Sequence, residues 1–142
     1  MSVSPIYTAS AKATGGREGH ATVPASGLDL TLAPPTEMGG SGKGHNPEQL
    51  FAAGYAACFI GAMQFATTQD DNLAKVPADV TVSADVGIGP REAGGFGLAV
   101  ALNISLPGVD VEAAQTLIEA GHKICPYSNA VRGNVEVTNT LV

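Results

Sequence analysis

The sequence contains no tryptophan and has few aromatic or charged residues. Aromatic residues make up 5% of its 142 residues and charged residues 14%, whereas hydrophobic residues make up 44% and glycines number 18. This apolar content excludes a disordered chain, and the length predicts one α+β domain spanning residues 1–142. Because small side chains must supply most of the packing, we expect part of the core to be shared with a second copy.

Positive charge is scarce as well. Seven basic residues are scattered among 13 acidic ones, for a net charge of −6. Nucleic-acid-binding proteins need a basic stripe, so this class is excluded. The first residues lack the charged start and apolar stretch of a secretory signal, which predicts a cytoplasmic protein. In a reducing compartment, two cysteines are more often redox-active or catalytic than structural.

Alternating apolar residues predict short strands, in the order three strands, a buried helix, two strands, a second helix and a final strand. Glycines at 15, 16 and 19 indicate a turn after the first strand, and a loop follows from Ala33 to His45. A helix capped by Asp110 is expected over residues 111–123 and ends at Cys125-Pro126. The predicted strands are residues 6–14, 20–25, 28–32, 80–88, 96–106 and 135–141.

A second, longer helix is predicted over residues 47–69. Asn46 suits the N-cap position, Pro47 the first turn, and the Glu48 carboxylate the positive end of a helix. Residues 50–63 carry no charge, and a helix that is apolar on all sides is expected to be buried on all sides. Residues 50–63, which have neither charged nor amide side chains, are fewer than the ~18 apolar residues that a membrane span needs, so we expect no membrane partner.

Cys58 lies in the middle of this apolar helix. An unpaired cysteine there is often an inert core residue, because apolar surroundings raise the pKa of a thiol. A reactive thiolate would need a nearby cation. Arg17, in the glycine turn, is the best candidate for that cation, and Glu48 could hold its guanidinium in bidentate fashion. The spacing permits this arrangement without requiring it.

Cys125 lies 67 residues after Cys58, and no sequence rule says that the two meet. If they do, Cys125 could form a disulfide with an oxidised Cys58. A cysteine hydrolase that uses His20, His45 or His122 as its base is an alternative. His122 and Cys125 also form half of a zinc motif without a second half. A non-catalytic lipid- or hydroperoxide-binding module is a third possibility.

Several segments together resemble the organic hydroperoxide resistance proteins, a branch of the superfamily that includes the osmotically inducible peroxidases. The likeness covers nearly the whole chain in the expected order, and the residues around both cysteines favour the first branch. Four segments carry it: NPEQLFAAGYAACF at 46–59, GGREGH at 15–20, MGGSG at 38–42 and CPYSNA at 125–130.

This resemblance implies a role for each candidate residue. Cys58 matches the peroxidatic cysteine, Cys125 the resolving cysteine, Arg17 the catalytic arginine and Glu48 the residue that orients it. It also implies an intertwined homodimer with sheets wrapped around central helices. The implied substrates are organic and fatty-acid hydroperoxides, and the implied reductant is a dithiol on a lipoylated protein. No metal, haem, flavin or other cofactor is expected.

The expected reaction is a thiol peroxidation. Cys58 would attack the peroxide and become a sulfenic acid, and Cys125 would convert that acid into a disulfide. Phe59, Met63 and Phe65 are expected to line a pocket for the alkyl tail.

Overall fold

The computed structural model describes Ser2 to Val142. These residues fall into two compact units, one that ends at Pro47 and one that begins at Glu48. Residues 2–142 form two three-stranded sheets and three α-helices, so the predicted α+β class is confirmed.

The first unit is a small antiparallel sheet. Its strands are β1 (Lys12–Thr14), β2 (His20–Val23) and β3 (Leu28–Thr31), in the order β1-β2-β3. The prediction of a strand over residues 6–14 is wrong for residues 6–11, because only Lys12–Thr14 pair with β2. A strand needs a partner for its backbone groups, and the preceding residues are exposed.

The second unit carries α1 (Pro47–Gln69) and a mixed sheet. A hairpin joins β4 (Thr81–Pro90) to β5 (Phe96–Ser105), and β6 (Glu136–Leu141) pairs parallel to β5. A parallel pair needs a long crossover connection, which α2 (Val111–Ile124) and α3 (Pro126–Val131) supply.

The core of this unit lies between α1, β5 and α2. Alternation along β5 buries Val100, Leu102 and Ile104, which pack in one cluster with the buried side chains of both helices. Tyr55 and Phe59 of α1 are fully buried in it. The alternation of apolar residues along β5 therefore determines which face of α1 is buried.

The prediction that α1 is buried on all sides is wrong for a single chain. Its buried residues form one face, while Leu50 is 38% and Phe65 55% exposed. By length and composition alone the helix could also cross a membrane, although a core helix of a soluble protein passes the same test. The buried positions are Tyr55, Phe59, Ala62, Met63 and Ala66.

The short helix α3 was not predicted. The sequence indicated that α2 ends at Cys125-Pro126, and it does, but a new helix begins at Pro126. Proline ends a preceding helix, but it is also favoured at the first position of a new helix. Pro126 therefore marks both the end of α2 and the start of α3.

Candidate active site

Cys58 and Cys125 lie side by side although 67 residues separate them. Cys58, in the middle of α1, is partly exposed, and Cys125, between α2 and α3, is fully buried. Their sulfurs are 3.8 Å apart, and the Cys125 thiol donates to the Cys58 sulfur. Both thiols are free. A disulfide needs a bond of about 2 Å, so a two-electron oxidant and a small approach of the two sulfurs would be enough to form one.

The junction between α2 and α3 fixes the position of Cys125. Its backbone is extended (φ −60°, ψ 121°), the conformation that a following proline favours. Its N–H donates to the carbonyl of Gly121 over 2.8 Å, and its own carbonyl accepts from the N–H of Asn129 over 3.0 Å. Cys125 thus caps the end of one helix and the start of the next.

The surroundings of Cys58 oppose ionisation of its thiol. Burial raises the pKa of Cys58 most, and the neighbouring Cys125 raises it further, because two thiolates so close cannot both form easily. The backbone N–H of Tyr127 acts in the opposite direction, since it hydrogen-bonds the charged form. The net pKa is raised, so a reactive thiolate needs additional positive charge.

A chain of hydrogen bonds runs beside the cysteines. The hydroxyls of Tyr55 and Ser128 are 2.9 Å apart, Ser128 Oγ is 2.9 Å from His122 Nδ1, and His122 Nε2 is 2.8 Å from Asn139 Oδ1. Burial raises the pKa of the Tyr55 phenol, so it keeps its proton. All four residues line a cavity of about 240 Å³.

Arg17 and Glu48 belong to different units. Arg17 lies half-buried in a single 3₁₀ turn, Gly16–Glu18, between β1 and β2. The turn is tight: Gly15 has φ +70°, and a Cβ on Gly19 would overlap the Thr14 carbonyl. Glu48 lies half-buried in the first turn of α1. The predicted glycine turn and helix start are both present, and the roles of the two side chains stay predictions.

Comparison with known proteins identifies the family. The model of the OsmC-like proteins matches residues 40–140, and the organic hydroperoxide resistance protein of Xanthomonas axonopodis pv. citri (strain 306) is 55% identical over 96% of this chain and 94% of its own. The chain belongs to the organic hydroperoxide resistance branch of the OsmC-like proteins. The resemblance predicted from its motifs is confirmed.

Solved structures of this branch share the fold of this OsmC-like protein. An organic hydroperoxide resistance protein from Elizabethkingia anophelis aligns with a TM-score of 0.88 at 46% identity, over 98% of both chains. OhrB of Bacillus subtilis aligns with a TM-score of 0.85 at 40% identity, over 97% of this chain and all of its own.

One prediction about the site of this OsmC-like protein needs correction. Phe59 and Met63 are fully buried core residues, and Phe65 is exposed, so these three do not line one pocket. The reason is that Phe65 lies on a different side of α1 from Phe59 and Met63. Both ring nitrogens of His122 are hydrogen-bonded away from the cysteines, and residues 2–142 contain no cluster of three or more potential metal ligands.

Tyr55, Ser128 and Asn139 were not singled out from the sequence. A signal was present in the spacing of the first two: Tyr55 precedes Cys58 by three residues, and Ser128 follows Cys125 by three. Residues three apart share a helix face, so both were candidates to lie near the thiols. Asn139 lies on a distant strand, and no local pattern points to it.

Proposed function

We propose that this protein is a cysteine-based peroxidase that reduces organic hydroperoxides, including those of fatty acids, to alcohols and so protects against organic peroxide stress. The observation that carries the proposal is the 3.8 Å contact between the sulfurs of Cys58 and Cys125. Relatives of more than half identical sequence, named for resistance to organic hydroperoxides, support the substrate class.

The proposed reaction has two steps on the protein. In the first, the Cys58 thiolate attacks the distal peroxide oxygen, a sulfur–oxygen bond forms, the O–O bond breaks, and the alkoxide leaves and takes up a proton to become the alcohol. In the second, Cys125 attacks the sulfur of the Cys58 sulfenic acid. The disulfide forms, and the sulfenic oxygen leaves as water with the proton of the Cys125 thiol.

The Cys58 thiolate also requires a positive charge nearby. Because the pKa of Cys58 is raised by burial, we assign its stabilisation as a thiolate to the Arg17 guanidinium. The same group would stabilise charge on the departing alkoxide, which is worth most in a dry site. Glu48 would hold the guanidinium by bidentate hydrogen bonds, as Arg–carboxylate pairs commonly do.

Exposure indicates where the reductant enters. Cys125 is fully buried, whereas Cys58 is partly exposed. A dithiol, of the lipoyl type on a carrier protein, would therefore attack the Cys58 sulfur and release Cys125 as the leaving thiol. We place the reaction in the cytoplasm, on a homodimer that binds neither nucleic acid nor membrane and needs no cofactor.

Counting free thiols tests the proposal. The reduced protein is treated with one equivalent of an alkyl hydroperoxide, and its thiols and mass are measured. We expect the loss of both thiols and of 2 Da. Cys58→Ser should lose none, and Cys125→Ser should gain one oxygen without forming the disulfide. Unchanged thiols in the wild-type protein would refute a peroxidase, and an acyl adduct on an ester substrate would indicate a hydrolase.

A further inference from the structure

The hydrogen-bonded chain of Tyr55, Ser128, His122 and Asn139 joins four separate elements. These are α1, α3, α2 and β6, in that order. Tyr55 and Ser128 are buried. Buried polar groups are costly unless each finds a partner, so a satisfied chain of this kind holds its members in one arrangement.

Each group in this series of hydrogen bonds donates to the next, from Tyr55 toward Asn139. The side-chain oxygen of Asn139 can only accept, so Nε2 of His122 carries the hydrogen. In a neutral imidazole, Nδ1 then accepts from the Ser128 hydroxyl, and the Ser128 oxygen accepts from the Tyr55 hydroxyl. Each hydroxyl has one use as a donor, so the loss of one link leaves a buried neighbour unsatisfied.

Two of the hydrogen-bonded residues lie on either side of Cys125 in the sequence. His122 lies three residues before Cys125 and Ser128 three residues after it. Tyr55, to which Ser128 is bonded, lies three residues before Cys58 on α1. The hydrogen bonds therefore tie both helices that meet at Cys125 to the helix turn that carries Cys58.

We propose that Tyr55, Ser128 and His122 are positioning residues that hold Cys125 within reach of Cys58 and thereby set the rate at which the disulfide closes. The consequence rests on the proposed function: in a cysteine peroxidase, this rate decides whether the Cys58 sulfenic acid becomes a disulfide or is oxidised further to sulfinic acid. An error of about 1 Å in the placement of reacting groups can cost about a hundredfold in rate.

The test uses 2,2′-dithiodipyridine in place of a peroxide. Cys58 attacks this reagent and releases one pyridinethione, and Cys125 then displaces the second as the Cys58–Cys125 disulfide forms. The two releases are followed by absorbance as two phases. We expect Tyr55→Phe and Ser128→Ala to leave the first phase unchanged and to slow the second by about tenfold or more.

Matched variants separate positioning from general damage. Ser83→Ala makes the same change at an exposed position of β4 and should change neither phase. The double variant Tyr55→Phe/Ser128→Ala should be slowed less than the product of the two single effects, because both changes break one chain. Tyr55→Phe preserves the ring, so it decides the question if Ser128→Ala does not fold.

A second phase in Tyr55→Phe as fast as that of the wild-type protein would overturn the inference. This result is independent of the peroxidase proposal. A wild-type protein that closes with dithiodipyridine but ignores hydroperoxides would refute the proposed function alone. With excess alkyl hydroperoxide, slow closure should appear as sulfinic acid on Cys58 in the variants, measured by mass spectrometry.

Discussion

At the sulfur of Cys58, burial and a second thiol oppose ionisation, while one backbone N–H favours it. The resting residue is therefore poorly activated by its own helix. This agrees with the expectation that the position of a cysteine in an apolar helix does not make it reactive. A thiolate at Cys58, as we propose, would need a contribution from other elements, and the two predictions at this scale test the raised pKa and that contribution.

The raised pKa of Cys58 predicts a loss of stability at alkaline pH. An unfolded thiol ionises near pH 8.5, whereas in the fold Cys58 keeps its proton to higher pH. The unfolded chain then binds fewer protons, so the free energy of unfolding falls as pH rises through that interval. Urea unfolding of reduced Arg17→Ala, which lacks the guanidinium proposed to favour the thiolate, should show this fall from pH 7 to 10, and Arg17→Ala/Cys58→Ser should show a shallower one. Equal slopes would contradict the raised pKa.

Arg17 is predicted to act on the first chemical step. Arg17→Ala should slow the oxidation of Cys58 by an alkyl hydroperoxide on the order of a hundredfold, the cost typical of removing one stabilising donor. The oxidation rate of Arg17→Lys should lie between those of the wild-type protein and Arg17→Ala, because lysine keeps the charge but not the bidentate fork. Stopped-flow measurement of thiol loss gives the rate. Arg91→Ala, at an exposed arginine after β4, is the control, and an equal loss there would argue against a specific role.

Among the elements, α1 and α2 pack together at Gly121. A Cβ built there would lie 2.8 Å from Met63 Cγ and 3.3 Å from Phe59 Cζ, and both of these side chains are fully buried. The glycine therefore sets the spacing of the two helices, and α2 carries His122 and ends at Cys125. This packing links the core to the position of the Cys125 thiol.

Gly121→Ala is predicted to destabilise the fold. Overpacking of a core costs about 1–3 kcal/mol, while alanine gains up to about 1 kcal/mol over glycine in helix propensity. We expect a net loss of about 1–2 kcal/mol in the free energy of unfolding, measured in urea. Gln115→Ala, on the exposed side of α2, should change it by less than about 0.5 kcal/mol. A stabilised Gly121→Ala would show that α1 can shift freely.

Elements with local signals could be predicted, and contacts between them could not. The bounds of α1 follow from Pro47 and the apolar run after it, and β4 and β5 follow from alternation. The contact of Cys58 with Cys125 depends on how three helices pack around β5, which no segment encodes alone. The sequence resemblance supplied the expectation that the two act together, and the structure supplied the 3.8 Å distance.

At the scale of the whole molecule, one face of α1 is left uncovered in the single chain. It carries Leu50, Ala53, Ala57, Gly61 and Phe65, all exposed in the single chain and none charged. An apolar helix face in water forfeits about 25 cal/mol for each Å² left uncovered. Small residues in this face would allow another helix to approach closely. A second copy of the chain, as the family resemblance implies, is the partner we propose.

Phe65→Glu is predicted to weaken that dimer. In a single chain Phe65 is 55% exposed, so a glutamate there should cost the monomer little, whereas burial in an interface would leave the charge without water. Sedimentation velocity should show a dimer for the wild-type protein and a shift toward monomer for Phe65→Glu.

Val111→Glu places the same charge on an exposed residue at the start of α2, where negative charge is favourable, and should remain dimeric. A wild-type protein that is monomeric at all concentrations would refute the dimer.

Cys58 and Cys125 belong to one unit of one chain, so closure with dithiodipyridine should persist in monomeric Phe65→Glu. If peroxide reduction is lost there while closure is kept, the second subunit contributes to the first step and not to the second.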